Sequence, residues 1–398
     1  MIVRVIVSIL IPLFLGGCWD RHEIEDLSTV LGLAIDIAEE EEDSSPNHPD
    51  SLNTPTSEIG MIKVTAQLAI PGKVPLNPTG GNEGTPTESV WVVEAVGHTM
   101  GDAMENLQQK LAHQIFLGHL KVIIISEDVA QKGIHDIMEY LRRVPDVRRT
   151  AWIAVNGDDA AQTMEAAPEM ERVPSMYLST VFKEAVGLGK FPEHNLGIFW
   201  IAESDKGRDG LMPYITVEKG QHIKIEGIAY FNGSKMAGRT APYQIALYNG
   251  LTEHNPGGSN ALINWKENKG ILVKSINRET KYRFQMENGK PSVQIDVQIE
   301  AEIREKTAKN VNLDDSKIIK EIEEKINQYL KDEYIKLIEQ TQEAKSDIFG
   351  FGEYVRGEFP DYWDKHVHTS ENWKEVYKDL DVDVGVDTKI LRTGLKNR

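Results

Sequence analysis

The residue best suited to a covalent modification is Cys18, the only cysteine among the 398 residues of this chain. It ends the run Leu15-Gly16-Gly17-Cys18, which has the residue types of a lipobox. In that motif the thiol becomes a diacylglyceryl thioether, and the chain is cut immediately before the cysteine. Small residues such as Gly17 fit the peptidase beside the cleaved bond. The sequence therefore predicts lipidation at Cys18, with acyl chains such as palmitate, and cleavage between Gly17 and Cys18.

The apolar run before this motif has the length of a signal peptide. It covers the eleven residues from Val5 to Leu15, which as a helix would span roughly 16 Å. A bilayer core is about 30 Å thick and needs about 20 apolar residues. Residues 1–17 are therefore predicted to be a lipoprotein signal peptide. The alternative is an ordinary N-terminal strand or helix that buries a free cysteine.

The charge of the chain argues against several classes of partner. The formal net charge is −18, and removal of residues 1–17, with Arg4 as their one charged side chain, makes it −19. An acidic protein does not attract nucleic acid phosphates, and anionic lipid repels it. Two acyl chains are about what stable membrane anchoring requires. We therefore expect a lipid anchor on Cys18 and no nucleic acid partner.

Other residues of suitable type give weaker signals for metal binding. His366 and His368 would point the same way on a strand, with Asp361 and Asp364 nearby, although an exposed turn is the alternative setting. His113 and His119 are too far apart for one helix face, and a helix end and a strand start account for both. We expect no metal site.

Signals for catalysis and for ligand binding are equally weak. The run Gly187-Leu188-Gly189 lacks the third glycine and the following Lys-Ser/Thr of phosphate loops, and no G-x-S-x-G or H-E-x-x-H is present. The acidic stretch Glu321, Glu323 and Glu324 suits the wet face of a helix. Aromatic residues cluster late in the chain, where they could form a ligand wall or pack under a loop: Tyr354, Phe359, Tyr362, Trp363 and Trp373. We expect no enzyme, no cofactor and no identifiable ligand-binding residues.

The elements that would position these residues fall into two groups. Residues 18–200 alternate strand and helix patterns, with apolar strands at 122–125 and 152–155, which indicates an α/β domain. Acidic and Ser/Pro-rich residues at 38–58, and Pro/Gly-rich residues at 71–88, predict flexible loops. Residues 201–220 are predicted to be a connector.

Residues 221–398 have a different pattern. Two β runs meet at Asn288-Gly289, a strong hairpin signal. A long amphipathic helix then begins near Asp314 or Asp315, and residues 380–386 alternate as a last strand. This predicts an α+β domain in which an antiparallel sheet carries one long helix.

Several stretches resemble the Ger(x)C family of spore germination lipoproteins, the C subunits of nutrient germinant receptors. The resemblance begins at Cys18-Trp19-Asp20 and Glu23-Ile24-Glu25-Asp26-Leu27. It continues through residues 118–126 with three arginines after them, and through 228–231 with Lys235-Met236. It ends with residues 347–354 and the downstream Pro360, Tyr362-Trp363 and Trp373.

The resemblance implies a non-enzymatic receptor subunit. Such a protein is tethered by its lipid to the outer face of the spore inner membrane or cell membrane. It works with two multi-pass membrane subunits, of A and B type, in nutrient-triggered germination. The acidic insertion and the Pro/Gly-rich loop depart from the family pattern. Two rival functions remain open: a lipid-anchored solute-binding protein of a transporter, and a lipid-anchored cell-wall hydrolase.

Overall fold

The computed structural model describes residues 26–38, 60–70, 89–168, 171–218, 222–252, 258–266, 269–307 and 312–392. The two loops predicted at 38–58 and 71–88 lie outside these ranges, apart from residue 38. Within the described ranges, no helix has the length and apolar character that a membrane span requires.

In the described part of the chain, nine strands form the first sheet. They are β1 (Leu27–Ile37), β2 (Ile62–Ala69), β3 (Val90–Gly97), β4 (Gln114–Phe116), β5 (Val122–Ser126), β6 (Trp152–Asn156), β7 (Leu211–Glu218), β8 (His222–Asn232) and β9 (Lys235–Arg239). Their order is β3-β2-β1-β5-β6-β7-β8-β9, and β4 pairs with β1. The strands β1, β5, β6 and β7 are parallel, whereas both flanks are antiparallel.

The central strands are apolar because helices cover the sheet on both faces. One face packs against α1 (Met100–Gln109), α2 (Glu127–Lys132), α3 (His135–Arg143) and α5 (Leu196–Ser204). The other face packs against a 3₁₀ helix (Ala160–Met164) and α4 (Pro174–Gly187). Every residue of β5 is buried between these two layers. The α/β prediction for this half is confirmed.

The first sheet continues past the point where we expected a connector. Residues 201–220 contain the end of α5 and the strand β7. The strands β8 and β9, which lie within our predicted C-terminal domain, pair onto β7 and extend the same sheet. Pro213, a residue type that is uncommon inside strands, is a buried residue of β7.

The second sheet has the order β10-β11-β12-β13 among the described residues. Its strands are β10 (Asn260–Lys266), β11 (Lys269–Glu287), β12 (Lys290–Lys306) and β13 (Asp381–Arg392). Asn288 and Gly289 both have positive φ, +50° and +78°, which suits a two-residue hairpin turn. The predicted hairpin is confirmed. The last strand differs from a purely antiparallel sheet, because β13 pairs parallel to β12.

One long helix, α7 (Ser316–Glu343), lies across this sheet as predicted. Its side-chain cap is Asp315, whose carboxylate accepts a hydrogen bond from the Lys317 amide at 2.9 Å. The helix α6 (Gln244–Leu251) and the helices after α7 complete the core: α8 (Phe351–Glu358), the short α9 (Pro360–Tyr362) and α10 (Ser370–Lys378). This core also takes in Leu211, Ile228 and Tyr230 of the first sheet, so the two halves share buried apolar surface.

Candidate functional site

The predicted lipidation residue Cys18 and the cleavage residue Gly17 both precede Asp26, where the described residues begin. Lipidation and processing there remain predictions.

The predicted histidine pair does not share a strand face. His366 lies in a π-helical turn, Trp363–Val367, where its ring is 5.0 Å from the Tyr362 ring. His368 ends that turn with a φ of +62°, and both histidines are exposed. The described ranges contain no group of three or more His, Cys, Asp or Glu residues placed to hold a metal ion.

His113 and His119 lie on either side of β4. The His113 carbonyl accepts hydrogen bonds from Ser28 Oγ at 3.0 Å and from Gln108 Nε2 at 2.9 Å. The His119 ring meets the Phe116 ring edge-on at 5.7 Å. Both histidines therefore have contacts that serve local packing.

The three glutamates predicted on a wet helix face lie on α7 as expected. Glu321 pairs with Lys266 at 2.7 Å, and Glu324 is exposed. Glu323 differs, because its Oε1 accepts a hydrogen bond from the Ile390 amide at 2.7 Å and so ties α7 to β13.

The predicted aromatic cluster divides into two groups. Trp363 and Trp373 are buried, with ring centroids 5.7 Å apart. The Tyr354 ring instead stacks on Phe284 of β11 at 5.1 Å. Trp373 also contacts a buried carboxylate, which the sequence analysis did not single out.

That carboxylate belongs to Asp347, which is fully buried just before α8. Its Oδ1 accepts hydrogen bonds from the Gly350 amide at 2.8 Å and the Phe351 amide at 3.2 Å. Its Oδ2 accepts from the Gly352 amide at 2.9 Å and from Trp373 Nε1 at 2.9 Å. Burial raises the pKa of Asp347 to about 7, against the opposing effect of these hydrogen bonds. Four donors fix both oxygens, so the group serves as a structural anchor.

A second buried carboxylate joins this anchor to the first sheet. Asp209 precedes β7, and its Oδ2 accepts a hydrogen bond from the Asp347 amide at 3.0 Å. In return the Asp209 amide donates to the Asp347 carbonyl at 2.9 Å. Asp209 Oδ1 accepts from the Gly233 amide at 3.0 Å and lies 4.0 Å from Lys374 Nζ. Burial raises the pKa of Asp209 above its ordinary value.

Two glycines bring the backbones of the two halves together beside these aspartates. A Cβ added to Gly352 would lie 2.5 Å from the Gly207 Cα and 2.5 Å from Trp373 Nε1, closer than any real contact. Glu353 reinforces this approach, because its Oε1 accepts from the Gly207 amide at 2.8 Å and its own amide donates to the Gly207 carbonyl at 3.2 Å. We call Gly207, Asp209, Asp347, Gly352 and Glu353 the junction.

A cavity of about 280 Å³ adjoins the junction. Glu193, His194 and Arg208 line it from the first half, and Tyr248 and Tyr282 line it from the second. The junction itself offers no exposed nucleophile, and its aspartates are held by backbone amides. The junction therefore serves as a rigid connection between the two sheets.

One stretch of the sequence could have indicated the junction. Glycines are typical of turns and of close backbone packing, and Gly350 in the run 347–352 has a φ of +75°. The aspartate at the start of that run is a common helix-capping residue. Asp209 gave no such signal, because its partner lies 138 positions further along the chain.

Two family models match successive parts of this chain. The model described as "Spore germination protein N-terminal domain" matches residues 20–217. The model described as "Spore germination B3/ GerAC like, C-terminal" matches residues 226–394. The two matches together span nearly the whole chain.

Individual relatives match along the full length. "Spore germination protein GerQC" of Bacillus cereus is 26% identical over 395 residues, 98% of this chain and 99% of the relative. "Spore germination protein KC" of Bacillus subtilis (strain 168) is 24% identical over 425 residues, 98% of this chain and 96% of the relative.

A solved structure shares the fold. The crystal structure of the GerBC protein matches with a TM-score of 0.55 and 19% identity, covering 93% of this chain and 100% of that one. The predicted combination of an α/β half with a sheet-plus-long-helix half is therefore confirmed. With both domain models matched in order, the chain belongs to the GerAC-like family of spore germination proteins.

Proposed function

We propose that this chain is the lipid-anchored, non-enzymatic C-type subunit of a spore germinant receptor. The observation that carries the proposal is the end-to-end similarity, across both domains, to several proteins named for spore germination. In this proposal the chain supports assembly or signalling of the receptor through contacts with two multi-pass membrane subunits, of A and B type. Its place is the outer face of the spore inner membrane.

The structure agrees with a role in protein contacts. Two sheets share a core and are fixed to one another at the junction, so the chain can present a large rigid surface. The junction carboxylates are engaged with backbone amides rather than open to a substrate.

The first test is germination of spores that lack this gene, in a background without other receptor operons. We expect loss of response to one nutrient class among amino acids, sugars and nucleosides, with normal vegetative uptake of that nutrient. Intact germination combined with defective uptake would contradict the proposal and favour a solute-binding protein of a transporter.

The anchor needs a separate test. Cys18→Ala removes the thiol that carries the lipid, and we expect loss of processing, of membrane association and of germination. Gly16→Ala keeps a small residue in the lipobox and is the matched control, which should behave as wild type. Unchanged membrane association and germination in Cys18→Ala would mean that partner contacts, not lipid, hold the protein in place.

A further inference from the structure

A second cavity, of about 280 Å³, lies inside the C-terminal half, between α7 and the second sheet. Ala246 and Leu247 of α6 form part of its wall, and Tyr243, Tyr329 and Leu262 lie on it as well. These last three side chains are 54%, 39% and 66% exposed, so the cavity opens to solvent between them. Ligand pockets commonly measure about 300–1,000 Å³, so this cavity lies just below that range and suits a small ligand.

A β-bulge brings two polar side chains to the floor of this cavity. Ser275 pairs with Ala301 and Asn277 pairs with Glu300, so Ile276 is an extra residue in β11. Without it, Ser275 and Arg278 would point to opposite faces, because side chains alternate along a strand. The bulge turns both toward α7 and leaves Ile276 on the outside, 39% exposed.

The strand register then places a hydroxyl in the same row as the guanidinium, with Ile299 between them. Arg278 pairs with Ile299 across β11 and β12, and Ile299 pairs with Thr388 across β12 and β13. The three side chains therefore form one row on the cavity floor. Thr388 is held in position because its amide donates a hydrogen bond to Asn327 Oδ1 of α7 at 2.9 Å.

The two hydroxyls on this floor lack protein partners. Thr388 is only 2% exposed, and neither its Oγ1 nor the buried Ser275 Oγ makes a hydrogen bond within the described part of the chain. A buried hydroxyl without a partner is costly to a fold. Both residues line the cavity, so each hydroxyl could be satisfied by a different polar atom of a bound molecule.

The charges around the cavity favour a negative head group. Glu333 contributes a carboxylate to the wall of the cavity. That carboxylate already accepts a hydrogen bond from Tyr243 at 2.9 Å and forms an ion pair with Lys336 at 2.7 Å. The Arg278 guanidinium donates to the Ala246 carbonyl at 3.0 Å and presents a positive charge on the floor. The rest of the lining is mainly apolar, with Leu247, Ile263 and Leu330.

We propose that this cavity is a binding site for a small monocarboxylate with an apolar body. The carboxylate accepts hydrogen bonds from Arg278 and from the Thr388 hydroxyl, while the apolar body lies against Leu247, Ile263 and Leu330. The inference concerns the chain itself and does not depend on the receptor role proposed above.

Calorimetric titration of the purified full chain in detergent tests this site with hexanoate, 3-methylbutanoate and phenylacetate. Each has an uncharged amide counterpart of the same shape, so the pairs isolate the charge. We expect at least one acid to bind, and its amide to bind about 10-fold more weakly, because the charge-assisted hydrogen bond is lost.

Three variants locate the site. Thr388→Val removes only the hydroxyl, and it should weaken binding about 5-fold or more while leaving the empty protein at least as stable as wild type. Ala301→Leu fills the floor and should abolish binding. Asp387→Asn alters the exposed neighbour on the same strand and should leave the affinity unchanged.

The proposal is overturned if none of the three acids binds at millimolar concentration. It is equally overturned if acid and amide bind alike, or if Thr388→Val, folded by circular dichroism, binds as tightly as wild type. Spore germination phenotypes play no part in this test, so its failure would leave the receptor proposal standing.

Discussion

At the scale of single residues, Asp347 carries the densest set of hydrogen bonds in the junction. Asp347→Asn replaces an oxygen acceptor with an NH₂ group that faces amide donors. We expect the free energy of unfolding to fall by about 3 kcal/mol, because buried donors are left unpaired. Urea unfolding of the wild type and the variant measures this.

Asp361→Asn is the matched control, because Asp361 is exposed and lies in the same region of the chain. A surface change of this kind should alter the free energy of unfolding by less than about 0.5 kcal/mol. Equal effects of the two substitutions would contradict the anchoring role of Asp347.

A pH effect is expected from another buried carboxylate, Asp36 of β1. Its Oδ1 and Oδ2 accept hydrogen bonds from the Ala160 and Ala161 amides at 2.7 and 3.0 Å. Burial, with a smaller contribution from the negative charge of Asp159, raises its pKa from 3.8 to about 7. A raised pKa means that the folded state binds the proton more tightly than the unfolded state.

The stability that Asp36 gains from its proton is therefore present below about pH 4 and is lost as the pH rises through about 7. We expect the free energy of unfolding of the wild type, minus that of Asp36→Asn, to decrease as the pH rises from about 4 to about 7 and then to level off. Urea unfolding at pH 5 and pH 8 gives the comparison. An unchanged difference between pH 5 and pH 8 would contradict this prediction, because it would show that Asp36 is already ionised in the fold at pH 5.

Few of these single-residue features could be predicted from the sequence. Lipidation of Cys18 was predicted from four adjacent residues, and it stays a prediction because Cys18 lies outside the described ranges. The partners of Asp347 include three nearby amides, which a capping argument could have found. Asp209 and Asp36 were not accessible in that way, because their partners lie 138 and 124 positions away and only the folded topology brings them near.

At the scale of elements, the close approach of α8 to the segment before β7 sets a strict steric limit. Gly352→Ala would place a methyl group against Gly207 and Trp373, each 2.5 Å from the added atom. Overpacking of this kind costs about 1–3 kcal/mol, and here one of the obstructing atoms is backbone, which cannot rotate away. Thermal unfolding should show a clear fall in the midpoint.

The same helix provides the control. Gly357 also lies in α8, and an added Cβ there meets nothing within 4 Å. Gly357→Ala should stabilise the protein by up to about 1 kcal/mol, because alanine loses less backbone entropy in a helix. These two alanine substitutions, five positions apart in one helix, are thus expected to change the stability of the protein in opposite directions.

Local patterns predicted many of these elements. The Asn288-Gly289 turn, the alternation along β12 and the 3.6-residue period of α7 are local signals that the fold respects. The strand β7 lies where a connector was predicted, and it was not identified from the sequence. The order of the strands was not readable either, since parallel pairing is decided by contacts distant in sequence.

At the scale of the whole molecule, the shared core and the junction predict that the two halves unfold together. Hydrogen exchange followed by mass spectrometry at increasing urea concentration should show that peptides from β5 and β12 lose protection at the same concentration. Gly352→Ala should lower both midpoints equally. Loss of protection in β12 well before β5 would mean that the halves are separate cooperative units.

The family models divide the chain at a place where the fold is continuous. The interval between the two matches, from residue 217 to residue 226, covers the end of β7 and the start of β8, which are adjacent strands of one sheet. Our own predicted connector, residues 201–220, ends within this interval. Sequence similarity and composition both locate a change of pattern there, whereas backbone pairing continues across it.

The parallel pairing of β13 with β12 has a consequence for the order in which the chain folds. The closing strand of the second sheet is made by residues 381–392, so its long partner β12 keeps an open edge until those residues are available. A chain that emerges N-terminus first would thus complete its first sheet early and its second only when residues 381–392 have emerged. During that interval the exposed edge is a place where chaperones or misassembly can act.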